Sequence, residues 1–356
     1  MGTPVEDSDT FEILNVVPLR GSGGIIGPSC EAAAGLAEAE INSAGGVLGR
    51  EVRITTVDGG NSPGEIAREV AAFLATGMVG AVTGIPMPDV RAGVVHAVDG
   101  RVPALFGIGD DGQFGSRRGV FMIGENPGAQ TLEALNWLYR EFGAHRWAVV
   151  ASDYIWSRRM IPALHRMLDR PHTIVADFVF PQGCASYDEA LTDPRLDRAD
   201  GVIVLLVGGD AARFNRAFAA GGRADRQFRT GPTADENLLA AGGPAANDNF
   251  YVPSSVIPDP RLRPDQERIA RYRRLHGSFA PSFSRFATCI YQSLHTLRAM
   301  LATVGSSEVE RIHTRVDSGM VFEHAAGEFT LRGDQLQQPV RIFRANGTEF
   351  EVLLRV

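Results

Sequence analysis

Apolar and polar residues alternate along the chain in two periods that follow one another repeatedly. Short apolar runs, such as EILNVVPL at 12–19 and VGAVTG at 79–84, have the length and composition of buried strands. Between such runs lie stretches whose apolar side chains recur every three or four positions, as at Ala33, Ala37 and Ile41. Ser29 is expected to cap the helix that contains these three residues. Strands that alternate with amphipathic helices predict βαβ units built on parallel strands.

The alternation starts again near residue 120. VFMIGENP at 120–127 is followed by a helical pattern at 129–143 and a strand at 146–154, and further strand–helix pairs come later. A helix at about 284–304 and two alternating runs joined by an ANGT turn end the chain. Two successive series predict an α/β fold with two Rossmann-like lobes, each containing a parallel sheet.

The composition of the chain excludes several classes of function. The net charge of −7 gives no support to nucleic-acid or anionic-membrane binding. All 35 basic residues are arginine, which excludes a P-loop lysine, a Schiff-base lysine and a lysine general base. The arginine-rich run RIARYRR at 268–274 is typical of the solvated face of a helix.

Cysteine and histidine spacing indicates neither a metal site nor a catalytic thiol. The three cysteines lie far apart, and no CxxC, HxH or HExxH pattern occurs. Cys30 is interpreted as small and structural, and His165 as a packed residue on an apolar helix face. GxSxG, the nucleophile elbow of hydrolases, is missing. We therefore expect no metal and no cofactor.

The first residues, MGTPVEDSDTFEILNVVPL, contain neither a basic region nor a long apolar region. No signal peptide and no transmembrane helix are predicted. Two locations stay open: the cytoplasm, or the periplasm or cell surface if an export signal was removed.

The glycine-rich stretch RGSGGIIG after the first strand raises a second hypothesis. Gly21 and Gly23 fit the start of a dinucleotide-binding GxGxxG motif, and Asp58 ends the second strand. Ile26 occupies the third glycine position, and Asp58 lies more than 30 residues beyond the glycines. An NAD-dependent oxidoreductase is thus the alternative to a ligand-binding protein.

The same region resembles the opening of the type I periplasmic binding proteins of the branched-chain amino acid and amide class. The matching positions are Glu40, Ile41, Asn42, Gly45, Gly46, Gly49, Arg50, Asp58 and Pro63. VVASDYIWSRRM at 149–160 is similar to a segment of a narrower branch, which includes the amide-sensing regulator of amidase operons and amide- or urea-binding transport proteins.

The resemblance implies a protein without catalytic activity. A small polar solute, such as an amide, an amino acid or a urea-like compound, is expected to bind between two hinge-linked lobes. The implied lobes are 1–124 plus 257–326 and 125–256 plus 327–356. The protein partner is either an antiterminator or similar regulator or the permease of an ABC importer, and a homodimer stays open. The missing export segment and the unpaired cysteines favour the regulator slightly.

The resemblance also implies some binding residues. Tyr154 falls on a pocket tyrosine of the family and Trp156 on a second pocket aromatic residue. Pro88 and Gly109 stand where the amide sensor has hydroxyl residues, so its acetamide pocket is not intact. Asp153 is expected to cap the following helix.

The remaining predicted ligand contacts are polar residues in loops that follow strands. Asp110 and Asp111 follow an apolar strand, and Asp89 opens a helix; their carboxylates are suited to an amine or amide N–H. Glu236 lies where amino-acid binders of the wider family hold an ammonium group. Thr233 and Ser22 complete the predicted set of ligand-binding residues: Tyr154, Trp156, Asp110, Asp111, Asp89, Glu236, Thr233 and Ser22.

Overall fold

The computed structural model of the protein describes residues 9–109, 117–317, 320–324, 327–332, 335–337 and 340–355. The chain forms two compact units. The first comprises the described residues of Met1–Arg20, Ile26–Glu125 and Pro260–Gln338, and the second those of Gly21–Ile25, Asn126–Asp259 and Pro339–Val356. Each unit is an α/β domain, which confirms the predicted fold class.

Strands and helices alternate through the first part of the chain as predicted. The elements are β1 Thr10–Val17, α1 Gly27–Ser43, β2 Glu51–Asp58, α2 Pro63–Ala75, β3 Val79–Gly84, α3 Pro88–Val98, β4 Ala104–Phe106 and β5 Val120–Met122.

The same alternation builds the second unit. Its elements are α4 Pro127–Phe142, β6 Arg146–Ser152, α5 Ile155–Met167, β7 Thr173–Phe180, α6 Asp188–Leu191, β8 Gly201–Leu205, α7 Gly209–Ala220, β9 Phe228–Thr230, α8 Glu236–Gly242 and β10 Phe250–Ser254.

The chain then returns to the first unit before a last hairpin completes the second. The elements are α9 Arg263–His276, α10 Arg285–Val304, α11 Val309–Asp317, β11 Met320–His324, β12 Gly327–Arg332, β13 Gln335–Gln337, β14 Arg341–Asn346 and β15 Glu349–Arg355. No helix in the described ranges combines the length and apolarity needed to cross a membrane.

The first unit contains an eight-stranded sheet in the order β11-β12-β13-β5-β4-β3-β1-β2. Strands β1 to β5 are parallel, and β12 runs antiparallel to β11 and β13. Because β13 pairs with β5, residues 327–338 group with the first unit, whereas the predicted lobe boundary lay at 326. The sequence did not reveal these three added strands.

The second unit contains a seven-stranded sheet in the order β15-β14-β10-β9-β8-β6-β7. Strands β6 to β10 are parallel, and the predicted ANGT hairpin adds β14 and β15 in antiparallel fashion. Buried apolar side chains cover both faces of this sheet, with Phe214 and Phe218 of α7 on one and Leu135 and Leu138 of α4 on the other. Burial on both faces is typical of a mostly parallel sheet and explains its apolar strands.

The end of α1 closes the edge of the first sheet. Strand β2 is an edge strand, and Asn42 accepts a hydrogen bond from the N–H of Val52 at 2.7 Å and donates one to its carbonyl at 2.9 Å. Glu38 accepts the N–H of Ile54 at 2.8 Å. Side chains that occupy outward backbone groups prevent another strand from pairing there. Part of the family motif therefore has a structural role.

Two local predictions need correction. Arg268 is 4% exposed and paired with Asp265, and Tyr272 beside it is also buried, so the run at 268–274 is solvated only in part, as at Arg273 and Arg274. Ser29 was a proposed helix cap, but α1 begins two residues earlier, and the Ser29 hydroxyl donates to the carbonyl of Ile26 at 2.8 Å.

Candidate functional site

The strand orders define one special position in each sheet. The chain order reverses between β1 and β3 in the first unit and between β6 and β8 in the second. In open parallel sheets, ligands bind beyond the carboxyl ends of the two strands at such a position. The loops that follow these strands are therefore the regions in which to place the predicted ligand-binding residues.

Tyr154 lies at that position in the second unit. It follows β6 by two residues, is half-buried, and occupies the N-cap position of α5 with extended backbone. Its carbonyl accepts the hydroxyl of Ser157 at 3.0 Å. A tyrosine at a strand end can cover a ligand with its ring and bond it through its hydroxyl.

Trp156 is placed differently. Its side chain is 4% exposed and belongs to the core cluster that also contains Met160 and Leu164. The rings of Trp156 and Tyr154 lie 6.0 Å apart. The geometry therefore gives Trp156 the role of supporting Tyr154 from within the core.

Asp153 does not cap α5 as expected. Its carboxylate lies 2.7 Å from the Nε of Arg158, and this hydrogen bond lowers the pKa of Asp153. The extended backbone of Tyr154 and the hydroxyl of Ser157 form the start of the helix instead.

Ser22, in the segment that follows β1, is hydrogen-bonded to residues that follow β8. The carbonyl of Ser22 accepts the N–H of Gly209 at 2.9 Å, and its hydroxyl donates to the carboxylate of Asp210 at 3.2 Å. Asp210 is 1% exposed, also accepts the N–H of Gly183 at 2.9 Å, and is paired with Arg213. The structure thus uses the Ser22 hydroxyl to fix the glycine-rich segment. Sequence reasoning missed Asp210, although GGD after an apolar run marks the start of a helix.

The loop after β9 contains two further predicted residues. The Thr233 hydroxyl donates to the carbonyl of Leu206 at 3.0 Å. Asp235 caps α8 by accepting the N–H of Leu238 at 2.9 Å, and Glu236 is the partly exposed first residue of that helix. Thr233 and Glu236 therefore lie at the same edge of the sheet as Tyr154, with β8 between their strand and β6.

In the first unit, α3 begins close to the end of β3. Pro88 is its first residue, and Asp89, the second, is exposed. Asp110 and Asp111 lie outside the described residues. Of the three predicted carboxylates of this unit, the structure thus places one at the carboxyl edge.

Asp58 is already engaged by protein groups. It accepts the N–H of Leu19 at 2.9 Å and of Gly60 at 2.8 Å, and it pairs with the Nε of Arg20 at 2.5 Å. Although burial alone would raise the pKa of Asp58, these three partners lower it. A carboxylate held in this way is not available to a nucleotide ribose, which counts against the NAD hypothesis.

Away from the strand ends, the described residues form a surface depression but no metal centre. The described residues contain no group of three or more histidine, cysteine or acidic side chains able to hold a metal ion. A surface depression of about 400 Å³ lies at the C-terminal end of α10, lined by Thr303, Val304, Glu310, Arg311, Thr314 and Arg315. It lies away from Cys289 and Ser293, the α10 residues that pack beside the end of β4 at Gly107.

The fold and the site are those of a ligand-binding α/β protein, and the comparisons identify its family. The model of the periplasmic binding protein family matches residues 10–349, so the chain belongs to that family. This confirms the resemblance seen in the sequence, whereas the narrower amide-sensing branch stays a prediction. None of the curated proteins compared with the chain matches it significantly.

Several solved structures share the fold. The branched-chain amino acid transporter substrate-binding protein LivJ from Streptococcus pneumoniae, in complex with isoleucine, is 19% identical, with a TM-score of 0.83 over 97% of this chain and 99% of LivJ. The leucine-binding protein LivK from Thermotoga maritima is 16% identical, with a TM-score of 0.82 over 97% and 98%. An ABC transporter solute-binding protein from R. palustris, in complex with benzoate, is 17% identical, with a TM-score of 0.82 over 97% and 95%.

Proposed function

We propose that the protein is a solute-binding protein that takes up a small polar molecule without converting it chemically. The observation that carries the proposal is the position of Tyr154, at the end of β6 where the strand order reverses, in a chain of the periplasmic binding protein family. Thr233 and Glu236 follow β9 at the same edge. An aromatic ring with a few polar groups around it is the usual composition of a small-molecule site.

Binding is proposed to involve the carboxyl edges of both units. A solute that contacts both of them favours the form in which both contacts are made, so binding is coupled to hinge closure by population shift. Asp89 is the described residue of the first unit that we assign to such contacts.

The proposed protein partner is the permease of an ABC importer. The solved relatives named above are described as transporter or amino-acid-binding proteins, which supports a permease over an antiterminator. The proposed location is therefore the periplasm or the cell surface, because an importer's receptor has to meet its solute outside the cytoplasmic membrane.

A thermal-shift screen of amides, amino acids, amines, ureas and small carboxylic acids tests the proposal. A ligand that binds only the folded form stabilises it by about 2.7 kcal/mol at a hundredfold excess over Kd. We expect at least one solute to raise the melting temperature, and Tyr154→Ala to reduce that rise. Tyr139→Ala, which alters an exposed tyrosine on α4, should leave the rise intact. An unchanged rise in Tyr154→Ala would remove Tyr154 from the site.

A further inference from the structure

We propose that the solute is a small organic amine, recognised through its ammonium group, and that a carboxylate on the solute opposes binding. This inference rests on the proposed function and names the class of solute. Three features of the two carboxyl edges support it: the acidic residues at the helix N-termini, the pairing of the arginines, and the hydrogen bonds of the hydroxyl groups.

Helix N-termini ordinarily attract anions, because their first N–H groups are unpaired and the helix dipole is positive there. In the first unit, α3 starts with Pro88, which has no N–H, and continues with the carboxylate of Asp89. A carboxylate on the solute would therefore find one donor fewer than usual and a like charge beside it.

In the second unit, α7 and α8 also have carboxylates in their first turns. The start of α7 contains the buried Asp210, and the N–H of Gly209 is bonded to the carbonyl of Ser22. The start of α8 contains the carboxylates of Asp235, which caps it, and Glu236. Helix α5 has no acidic residue in its first turn, but Asp153 directly precedes Tyr154 at its start. Acidic side chains thus accompany the starts of α3, α5, α7 and α8, whereas the first turn of α1 contains none.

Three arginines close to the strand ends are paired with aspartates. Arg20 follows β1 and pairs with Asp58, and Arg158 in α5 pairs with Asp153. Arg213 in α7 pairs with Asp210. The exposed carboxylate of Asp89 therefore adds negative charge to the carboxyl edge of the first unit, where Arg20 is already paired.

Hydroxyl groups at these edges also have partners within the protein. Thr233 donates to the carbonyl of Leu206, and Ser157 donates to the carbonyls of Ser152 and Tyr154. In the first unit, GIPMP at 84–88 and GIG at 107–109 contain no side-chain donor at all. A carboxylate needs such donors when it leaves water, and it is costly to bury without them.

An ammonium group has the opposite requirement. It offers three donors and a positive charge, and charged hydrogen bonds to carboxylates are about twice as strong as neutral ones. Isoleucine and benzoate, found in two relatives of the same fold, both carry a carboxylate. The geometry therefore points to a solute class that differs from theirs.

Probes that share a carbon skeleton and differ in charge test this inference. Calorimetry or thermal shift compares 3-methylbutylamine, L-leucine and 4-methylpentanoate, and likewise benzylamine with benzoate. We expect each amine to bind at least about tenfold more tightly than its carboxylate counterpart. Equal or tighter binding of the carboxylates overturns the inference and leaves the proposed function standing. If no probe binds, and none of the solutes in the wider screen binds either, the proposed function itself fails.

A pair of variants in one helix separates local charge from general stability. Asp89→Asn removes the carboxylate at the start of α3, and Asp99→Asn makes the same change at its C-terminal end. We expect amine binding to weaken about threefold to tenfold in Asp89→Asn and to be unchanged in Asp99→Asn. Equal affinities in the two variants would show that the Asp89 carboxylate does not attract the solute.

Discussion

The Nε of Arg271 lies 2.6 Å from the Oε1 of Glu40, which joins α9 to the C-terminal half of α1. The hydroxyl of Tyr291 donates to the other carboxylate oxygen of Glu40, and the Nε2 of His295 lies 3.3 Å from it. A motif glutamate that the resemblance assigned to the family thus ties three helices of the first unit together. Burial alone would raise the pKa of Glu40, but His295, Tyr291 and Arg271 together lower it to about 2.

This network predicts a pH-dependent contribution to stability. A carboxylate whose pKa falls from 4.5 to about 2 on folding stabilises the protein by about 3 kcal/mol at most, above its unfolded pKa. The contribution is lost as the pH falls from 4.5 towards 2. Urea unfolding should therefore show Glu40→Gln well below the wild type at pH 7, with a smaller difference at pH 3. Glu31→Gln, an exposed change in the same helix, should show almost no difference at either pH. A constant gap between Glu40→Gln and wild type would contradict the assignment.

Asn42 is expected to protect the edge of the first sheet. Asn42→Ala removes both hydrogen bonds to Val52, and leaving these backbone groups without partners should cost about 1–3 kcal/mol. The exposed strand edge should also promote self-association, which light scattering measures. Ser43→Ala, the neighbouring exposed position, is the control. If Asn42→Ala has the same free energy of unfolding and the same degree of self-association as Ser43→Ala, the Asn42 side chain does not protect the strand edge.

Gly208 is predicted to be required for the approach of Ser22. Its φ is +52°, and a Cβ there would lie 2.2 Å from the carbonyl oxygen of Ser22. Gly222 has a similar φ of +64° but open space around it. Gly222→Ala should therefore cost about 1 kcal/mol from backbone strain alone, and Gly208→Ala at least about 2 kcal/mol. Equal melting temperatures for the two variants would mean that the backbone around Ser22 shifts to accommodate the added Cβ at little cost.

His172 makes the second unit sensitive to acid. Its ring accepts the Nε1–H of Trp147 at 3.2 Å and lies 3.1 Å from the amide oxygen of Asn136. Burial, with a smaller effect from His145, lowers the pKa of His172. Stability from the neutral ring is present above the ordinary pKa of about 6.5 and is lost as the pH falls through the lowered value.

Replacing His172 with glutamine should flatten that dependence. Urea midpoints at pH 7.5 and 5 should differ less in His172→Gln than in the wild type, with tryptophan fluorescence as the signal. His96→Gln, an exposed change on α3, should retain the wild-type difference. A wild-type midpoint that does not fall on acidification would show that the ring accommodates a proton without losing its bond to Trp147.

The alternation of strands and helices was predictable because burial fixes the apolar periodicity. The expected strand at 79–84 coincides with β3, and the expected strand at 146–154 and helix at about 284–304 agree with β6 and α10 to within two residues. The burial of Arg268 was not predictable, because its local sequence is strongly basic. Its pairing with Asp265 and the aromatic side chains of Phe283 and Tyr291, which are distant in sequence but lie 5.6 and 5.7 Å from its guanidinium, make that burial favourable.

The candidate site was predictable to a smaller extent. Tyr154 was predicted as a binding residue because the segment around it carries the resemblance and follows an apolar strand, and the structure places it at the end of β6. Trp156 was expected to face the ligand, but its core position depends on the rotation of α5, which short sequence patterns do not fix. His165 was placed on an apolar face, whereas it is exposed and lies 2.8 Å from Asp177 of β7. Asp210 was missed because its partners, Ser22 and Gly183, are distant in sequence.

The most direct test of solute binding without chemical conversion is equilibrium dialysis against a mixed pool of small solutes, followed by mass spectrometry of what the protein retains. We expect saturable retention of one solute per chain, recovered with its mass unchanged, and less retention in Tyr154→Ala. Recovery of a chemically altered molecule, or retention that never saturates, would contradict it.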